Sequence, residues 1–93
     1  MTILVTFKPT KPMSASQYSE ALRRLDKAGA GAPSGRLHHF CYGPAAALNV
    51  VDIWDSQANF DKFGAILMPI LAELGIDIGA PIIQPVHNAI AGR

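Results

Sequence analysis

The chain has 93 residues, 49% of them hydrophobic and 16% charged, and 8 basic against 7 acidic side chains leave a formal net charge of +1. That length suits one domain spanning residues 1–93. The absence of any run or stripe of Lys and Arg argues against nucleic acid as a partner, and no apolar run approaches the roughly 20 residues of a membrane span.

Met1 leads straight into a β-branched segment with neither a charged leader region nor a small-residue cleavage site, so the expected location is cytoplasmic. The single cysteine, Cys41, allows no internal disulfide and fits a reducing compartment. A typical domain is about 25% charged. A small core cannot hide so much apolar surface, so a second copy of the chain is expected to cover part of it.

Thr2 to Lys8 reads as a strand, ended by Pro9 and Pro12. Ser14 and Gln17 have the spacing of a capping box, with Met13 and Tyr18 placed for a hydrophobic staple. Tyr18, Ala21, Leu22 and Leu25 then follow at helical spacing, until Gly29 and Gly31 stop the helix. After a loop, Arg36 to Tyr42 is a second strand, Gly43-Pro44 a turn, and Ala47 to Trp54 a third strand that forms a hairpin with the second. Ser56 caps a second helix with apolar positions Phe60, Phe63, Leu67, Leu71 and Leu74. Pro69 inside that pattern predicts a kink or restart near Met68. Gly75 ends the helix, and Pro81 to Ile90 is a last strand whose prolines suit an edge. The order β-α-β-β-α-β predicts an α+β, ferredoxin-like fold: an antiparallel sheet with both helices on one face.

Alternation along the strands divides the side chains between two faces. Ile3, Val5 and Phe7 suit the helices, as do Val51 and Ile53 with Ala47. Leu4, Thr6 and Lys8 then lie opposite, with Leu48, Val50, Asp52 and Trp54. This second face is half apolar and holds a tryptophan, so two such sheets packed face to face would bury it around a cavity. The second strand depends on the hairpin loop. A two- or four-residue loop sets Leu37, His39 and Cys41 beside Asp52 and Trp54, whereas a three- or five-residue loop sets His38, Phe40 and Tyr42 there. The first is favoured because it gives Phe40 to the helices and brings His39 diagonally near Asp52.

These residues resemble a known family. The element order, the run Val51-Asp52-Ile53-Trp54-Asp55-Ser56, the helical Phe60 and Phe63 and the terminal Pro85-Val86-His87-Asn88 are similar to the dimeric α/β-barrel superfamily, in its small bacterial branch near the antibiotic-biosynthesis monooxygenases. The resemblance covers essentially the whole chain. It implies a homodimer paired sheet to sheet, a small-molecule pocket between sheet and helices, and, in some members, oxygenation of aromatic substrates without metal or cofactor. Those oxygenases use Asn, Trp, Tyr and Arg in the pocket, and Trp54 is the loose match here. The haem-degrading branch carries a tryptophan where Phe63 stands and an iron-ligating histidine one or two helical turns further on. Residues 65–74 contain no histidine, so no haem or other cofactor is expected.

The titratable candidates for catalysis are His39 and His87, with Asp52 to orient either and raise its basicity. Together they would form a base that removes a proton from a phenol ahead of reaction with oxygen. The competing reading makes them satisfied polar groups in a dimer core. Trp54, Thr6 and Phe63 are the candidate ligand contacts. A metal is not expected, because the adjacent His38 and His39 point to opposite faces of a strand. Cys41 reads as a small buried hydrophobe, with nothing beside it to activate the thiol.

Overall fold

The computed structural model describes residues 1–92. Its elements are β1 (Ile3–Phe7), α1 (Ala15–Lys27), β2 (Arg36–Tyr42), β3 (Asn49–Trp54), α2 (Gln57–Glu73) and β4 (Ile82–Pro85). The four strands form one antiparallel sheet in the order β2-β3-β1-β4, the ferredoxin-like arrangement expected from the element order.

Local chemistry accounts for the helix ends. Ser14 Oγ accepts from the Gln17 N–H at 3.2 Å, and Gln17 Oε1 accepts from the Ser14 N–H at 2.9 Å, the reciprocal capping box. Ser56 caps α2 in the simpler way, accepting from the Asn59 N–H. Both helices close on a glycine in the left-handed region, Gly29 at φ 78° and Gly75 at φ 69°. The next residue then bonds back into the helix, Ala30 to the Leu25 carbonyl and Ile76 to that of Leu71. Ala30 and Ile76 are buried, so each stop also adds a side chain to the core.

Pro69 does not restart α2, which runs unbroken from Gln57 to Glu73. It withholds one donor from the Ala65 carbonyl. Ala65, Met68 and Pro69 are all exposed, so water can satisfy that carbonyl. The last strand is shorter than expected: β4 ends at Pro85, one further backbone bond runs from the Val86 N–H to the Thr2 carbonyl at 2.9 Å, and His87 to Ile90 lie beyond it. Pro85 faces Ile3 in the register, and its missing N–H falls on the sheet's edge strand, where it costs least.

The helices cover the face of the sheet that carries Ile3, Val5, Phe7, Val50, Asp52 and Trp54. This corrects the expected assignment for β3. Val51 and Ile53 lie on the outer face, and Asp52 and Trp54 point into the core. Trp54 is 0% exposed and packs edge-on against Phe60, with ring centroids 5.7 Å apart, and against Phe63 at 5.3 Å. Burying side chains of this size is worth about 1.5–3 kcal/mol each. A register with Val51 and Ile53 inward would leave the indole in water. Trp54 and Val50 thus offset the loss of Val51 and Ile53 from the core, and Asp52 goes inside with them because His39 and Trp54 supply its donors.

The six-residue connection Gly43 to Leu48 keeps the even-loop parity, so His39 and Cys41 share a face with Asp52 and Trp54 as favoured. His39 sits directly opposite Asp52 rather than diagonal to it. Phe40 turns away from the helices and is 53% exposed, contrary to expectation. At the start of β2 a bulge interrupts the ladder: Arg36 faces Trp54 and His38 faces Ile53, leaving Leu37 unpaired. Leu37 is thereby displaced to the outer surface, and Arg36 takes the inner position.

Candidate functional site

Between the sheet and the two helices lies a cavity of about 60 Å³. Its walls are apolar over most of their extent, with Phe7, Met13, Leu25, Phe63, Leu67 and Leu71 among them. Four groups interrupt that lining: Tyr18 from α1, Arg36 and His39 from β2, and Asp52 from β3.

Three of these groups form a chain of short hydrogen bonds. His39 Nδ1 lies 2.6 Å from Asp52 Oδ1, and His39 Nε2 lies 2.6 Å from the Tyr18 hydroxyl. A carboxylate has no proton to give, so Nδ1 carries the proton and donates it to Asp52. In the neutral imidazole Nε2 is then a lone-pair acceptor for the Tyr18 O–H. The other oxygen of Asp52 accepts from the Trp54 indole N–H at 3.3 Å. Asp52 is 2% exposed, so its charge is held almost wholly by these two donors. Among the described residues no buried side-chain nitrogen or oxygen lacks a partner.

Each position has a local cause. Asp52 and His39 meet because they are opposite one another in an antiparallel pair. Tyr18 is the first staple position after the α1 capping box, which aims its ring down onto the sheet and parallel to the His39 ring, interplanar angle 4°. Burial holds the Tyr18 hydroxyl above its ordinary pKa of 10.0. The neighbouring Cys41 and Asp52 push in the same direction, and the Arg36 charge partly opposes them. Tyr18 is therefore a phenol at neutral pH and a proton donor to His39. Burial likewise raises the Cys41 thiol, which leaves it un-ionised and poorly nucleophilic.

Arg36 stands over the Phe63 ring, its guanidinium carbon 5.7 Å from the centroid. Its one hydrogen bond reaches the Gly31 carbonyl at 3.3 Å, and no carboxylate pairs with it among the described residues. It is the only cationic side chain among those lining the cavity.

His39 and Asp52 are thus brought together as expected, while His87 is not with them. It lies in the exposed segment after β4, along a shallow groove on the outer face with Leu37, His38, Phe40 and Ile53. Thr6 pairs with Val51 and shares that outer face. Phe63 lines the cavity, whereas Trp54 lies behind Asp52 and does not. Tyr18 and Arg36 were missed by sequence reasoning. Tyr18 was counted as an apolar helix position, although a staple tyrosine carries a hydroxyl that must find a partner. Arg36 is inward only because of the bulge, which leaves no mark in the sequence pattern.

Comparison with known proteins bears on the fold. No family model matches the chain, and no curated protein sequence matches it. Solved structures do. SnoaB, a cofactor-independent oxygenase from Streptomyces nogalater, is similar with a TM-score of 0.62 at 11% identity, over 98% of this chain and 96% of that one. A candidate antibiotic biosynthesis monooxygenase from Chloroflexus aurantiacus gives 0.63 at 12% identity, over 97% and 95%. Rv0793 from Mycobacterium tuberculosis gives 0.52 at 15%, over 96% and 97%. The chain has the fold of the antibiotic-biosynthesis-monooxygenase-like proteins. No helix among the described residues is long and apolar enough to cross a membrane.

Proposed function

We propose that this chain is a homodimeric, cofactor-independent oxygenase-like enzyme acting on a small phenolic or similarly acidic apolar metabolite. The observation that carries this reading is the Tyr18–His39–Asp52 relay set into the wall of an otherwise apolar cavity. Asp52 fixes the histidine tautomer and stabilises the imidazolium that forms when Nε2 takes a proton. Tyr18 passes that proton from the substrate to His39, and Arg36 balances the substrate anion. The anion is electron-rich enough to react with O₂. The oxygen bonds to a carbon that shares the anion's charge and still bears a hydrogen, the proton returns to the peroxide, and loss of water from the resulting hydroperoxide leaves a carbonyl. One O₂ is consumed for each CH₂ converted to C=O and H₂O. The cavity is smaller than the roughly 150 Å³ that holds a benzene ring, so the acidic edge of the substrate enters while the rest stays at the mouth beside Arg36. The shared fold with a cofactor-independent oxygenase supports the reaction class.

The homodimer has its own support. A monomeric domain of 9.9 kDa exposes about 5,200 Å², whereas this chain exposes 5916 Å². The excess approaches the roughly 800 Å² that one partner buries in a standard interface. The outer face supplies it: Phe40, Tyr42 and Ile82 are exposed there beside Leu4, Val51 and Ile53.

Oxygen uptake with a panel of anthrone- and naphthol-type substrates tests the enzyme. Tyr18→Phe and His39→Gln should each lower the rate by about 10²–10⁴-fold, and His87→Ala and Thr6→Ala should leave it unchanged. Uptake unaffected by His39→Gln would remove the reading. A second reading, a binding protein without chemistry, is favoured by the closed relay, in which every polar group already has a partner within the protein. A ligand that raises the melting temperature and is recovered chemically unaltered under oxygen would select it.

A further inference from the structure

The relay has a second chemical meaning, independent of oxygen. A hydroxyl bonded to the free nitrogen of a histidine, whose other nitrogen is held by a carboxylate, is the general arrangement of an activated nucleophile. Both links are 2.6 Å here. Tyr18 occupies the nucleophile position, His39 the base and Asp52 the orienting group, with the Trp54 N–H holding the far oxygen of the carboxylate. Arg36, without a carboxylate partner among the described residues, is the cation on the same cavity wall.

We propose that Tyr18 is a covalent acyl acceptor, and that the cavity is a site for activated esters or thioesters bearing a short acyl group. Tyr18 Oη attacks the acyl carbon while its proton passes to His39 Nε2, leaving an imidazolium paired with Asp52. The carbonyl oxygen becomes an oxyanion balanced by Arg36. Collapse breaks the bond from carbon to the leaving oxygen or sulfur, which departs with the proton from His39. Water, deprotonated by the same nitrogen, then hydrolyses the tyrosyl ester, so ester and water become acid and alcohol. The small cavity sets the acyl length: an acetyl group fits, whereas a long chain would have to displace Phe63 or Leu67.

The test uses the full chain and p-nitrophenyl acetate under nitrogen, which separates it from the oxygenase reading. A burst of nitrophenolate is expected, together with a mass increase of one acetyl group that maps to the peptide containing Tyr18. Tyr18→Phe keeps the ring in place and should abolish the adduct. His39→Gln should slow its formation at least about 100-fold. In the unaltered protein the acetylation rate should level off below the pH at which Tyr18 ionises. Label found only on lysines or on histidine would overturn the proposal. So would an adduct that forms equally fast in His39→Gln, or a rate that climbs steadily into alkali with tyrosinate.

Discussion

The two faces of the sheet are built from similar apolar strands but solve different problems. The inner face has a charged residue, Asp52, sealed at 2% exposure, yet all its polar atoms are paired. The outer face has no sealed charge and leaves Phe40 at 53%, Ile82 at 48% and Tyr42 at 46% exposed. A buried charge is tolerated where hydrogen-bond donors converge on it. An exposed apolar row is tolerated where another surface can cover it. The difference separates what holds one chain together from what would hold two copies together, and substitutions on the two faces should fail in different ways.

The largest effect should come from Trp54→Ala. It empties the centre of the inner face and removes a donor from Asp52, so denaturant unfolding should show a loss of about 3–5 kcal/mol at any protein concentration. Next, Asp52→Ala leaves the His39 and Trp54 N–H groups without their acceptor and should cost about 1–3 kcal/mol for the deserted donors. It should also break the link to Tyr18. In a difference titration of the unaltered protein against Tyr18→Phe, the Tyr18 phenol should ionise above 10.0, because burial disfavours its anion.

On the outer face, Phe40→Asp should leave the melting curve of a dilute sample nearly unchanged and weaken self-association by at least about tenfold, a cost of 1.4 kcal/mol or more. Sedimentation at micromolar concentration checks this. A stable monomer of the unaltered chain would remove the contrast between the faces altogether.

The smallest effect lies on neither face. Glu20, bonded to Arg23 and then Arg24, has its pKa lowered from 4.5 to about 2. Its depressed pKa means that its contribution is present above the unfolded value and fades as pH falls from 4.5 through about 2. Glu20→Gln should therefore lower stability slightly at neutral pH, by no more than an exposed pair is worth, make no difference below about pH 2, and so flatten the acid limb between.

Much of this was legible in the residues. Caps, glycine stops, the element order and the pairing of His39 with Asp52 follow from short-range chemistry and loop parity. The orientation of β3 was not, because Val50 and Trp54 on one face match Val51 and Ile53 on the other in apolar character. Asp52 tips a sequence reader toward the wrong side, since the donors that make its burial affordable come from β2 and from Trp54 itself. His87 was misplaced for a different reason. The strand expected to carry it ends at Pro85, so alternation no longer governs where it points.

The bulge at Leu37 also bears on how such chains are compared. Because one residue is pushed out of the ladder, the arginine stands where unbroken alternation would put a leucine. A relative without the bulge carries its cavity residue one column away from Arg36 in any gap-free alignment. At identities as low as these, the site is conserved or lost as a position in space, and a residue-by-residue tally of matches would miss it in either case.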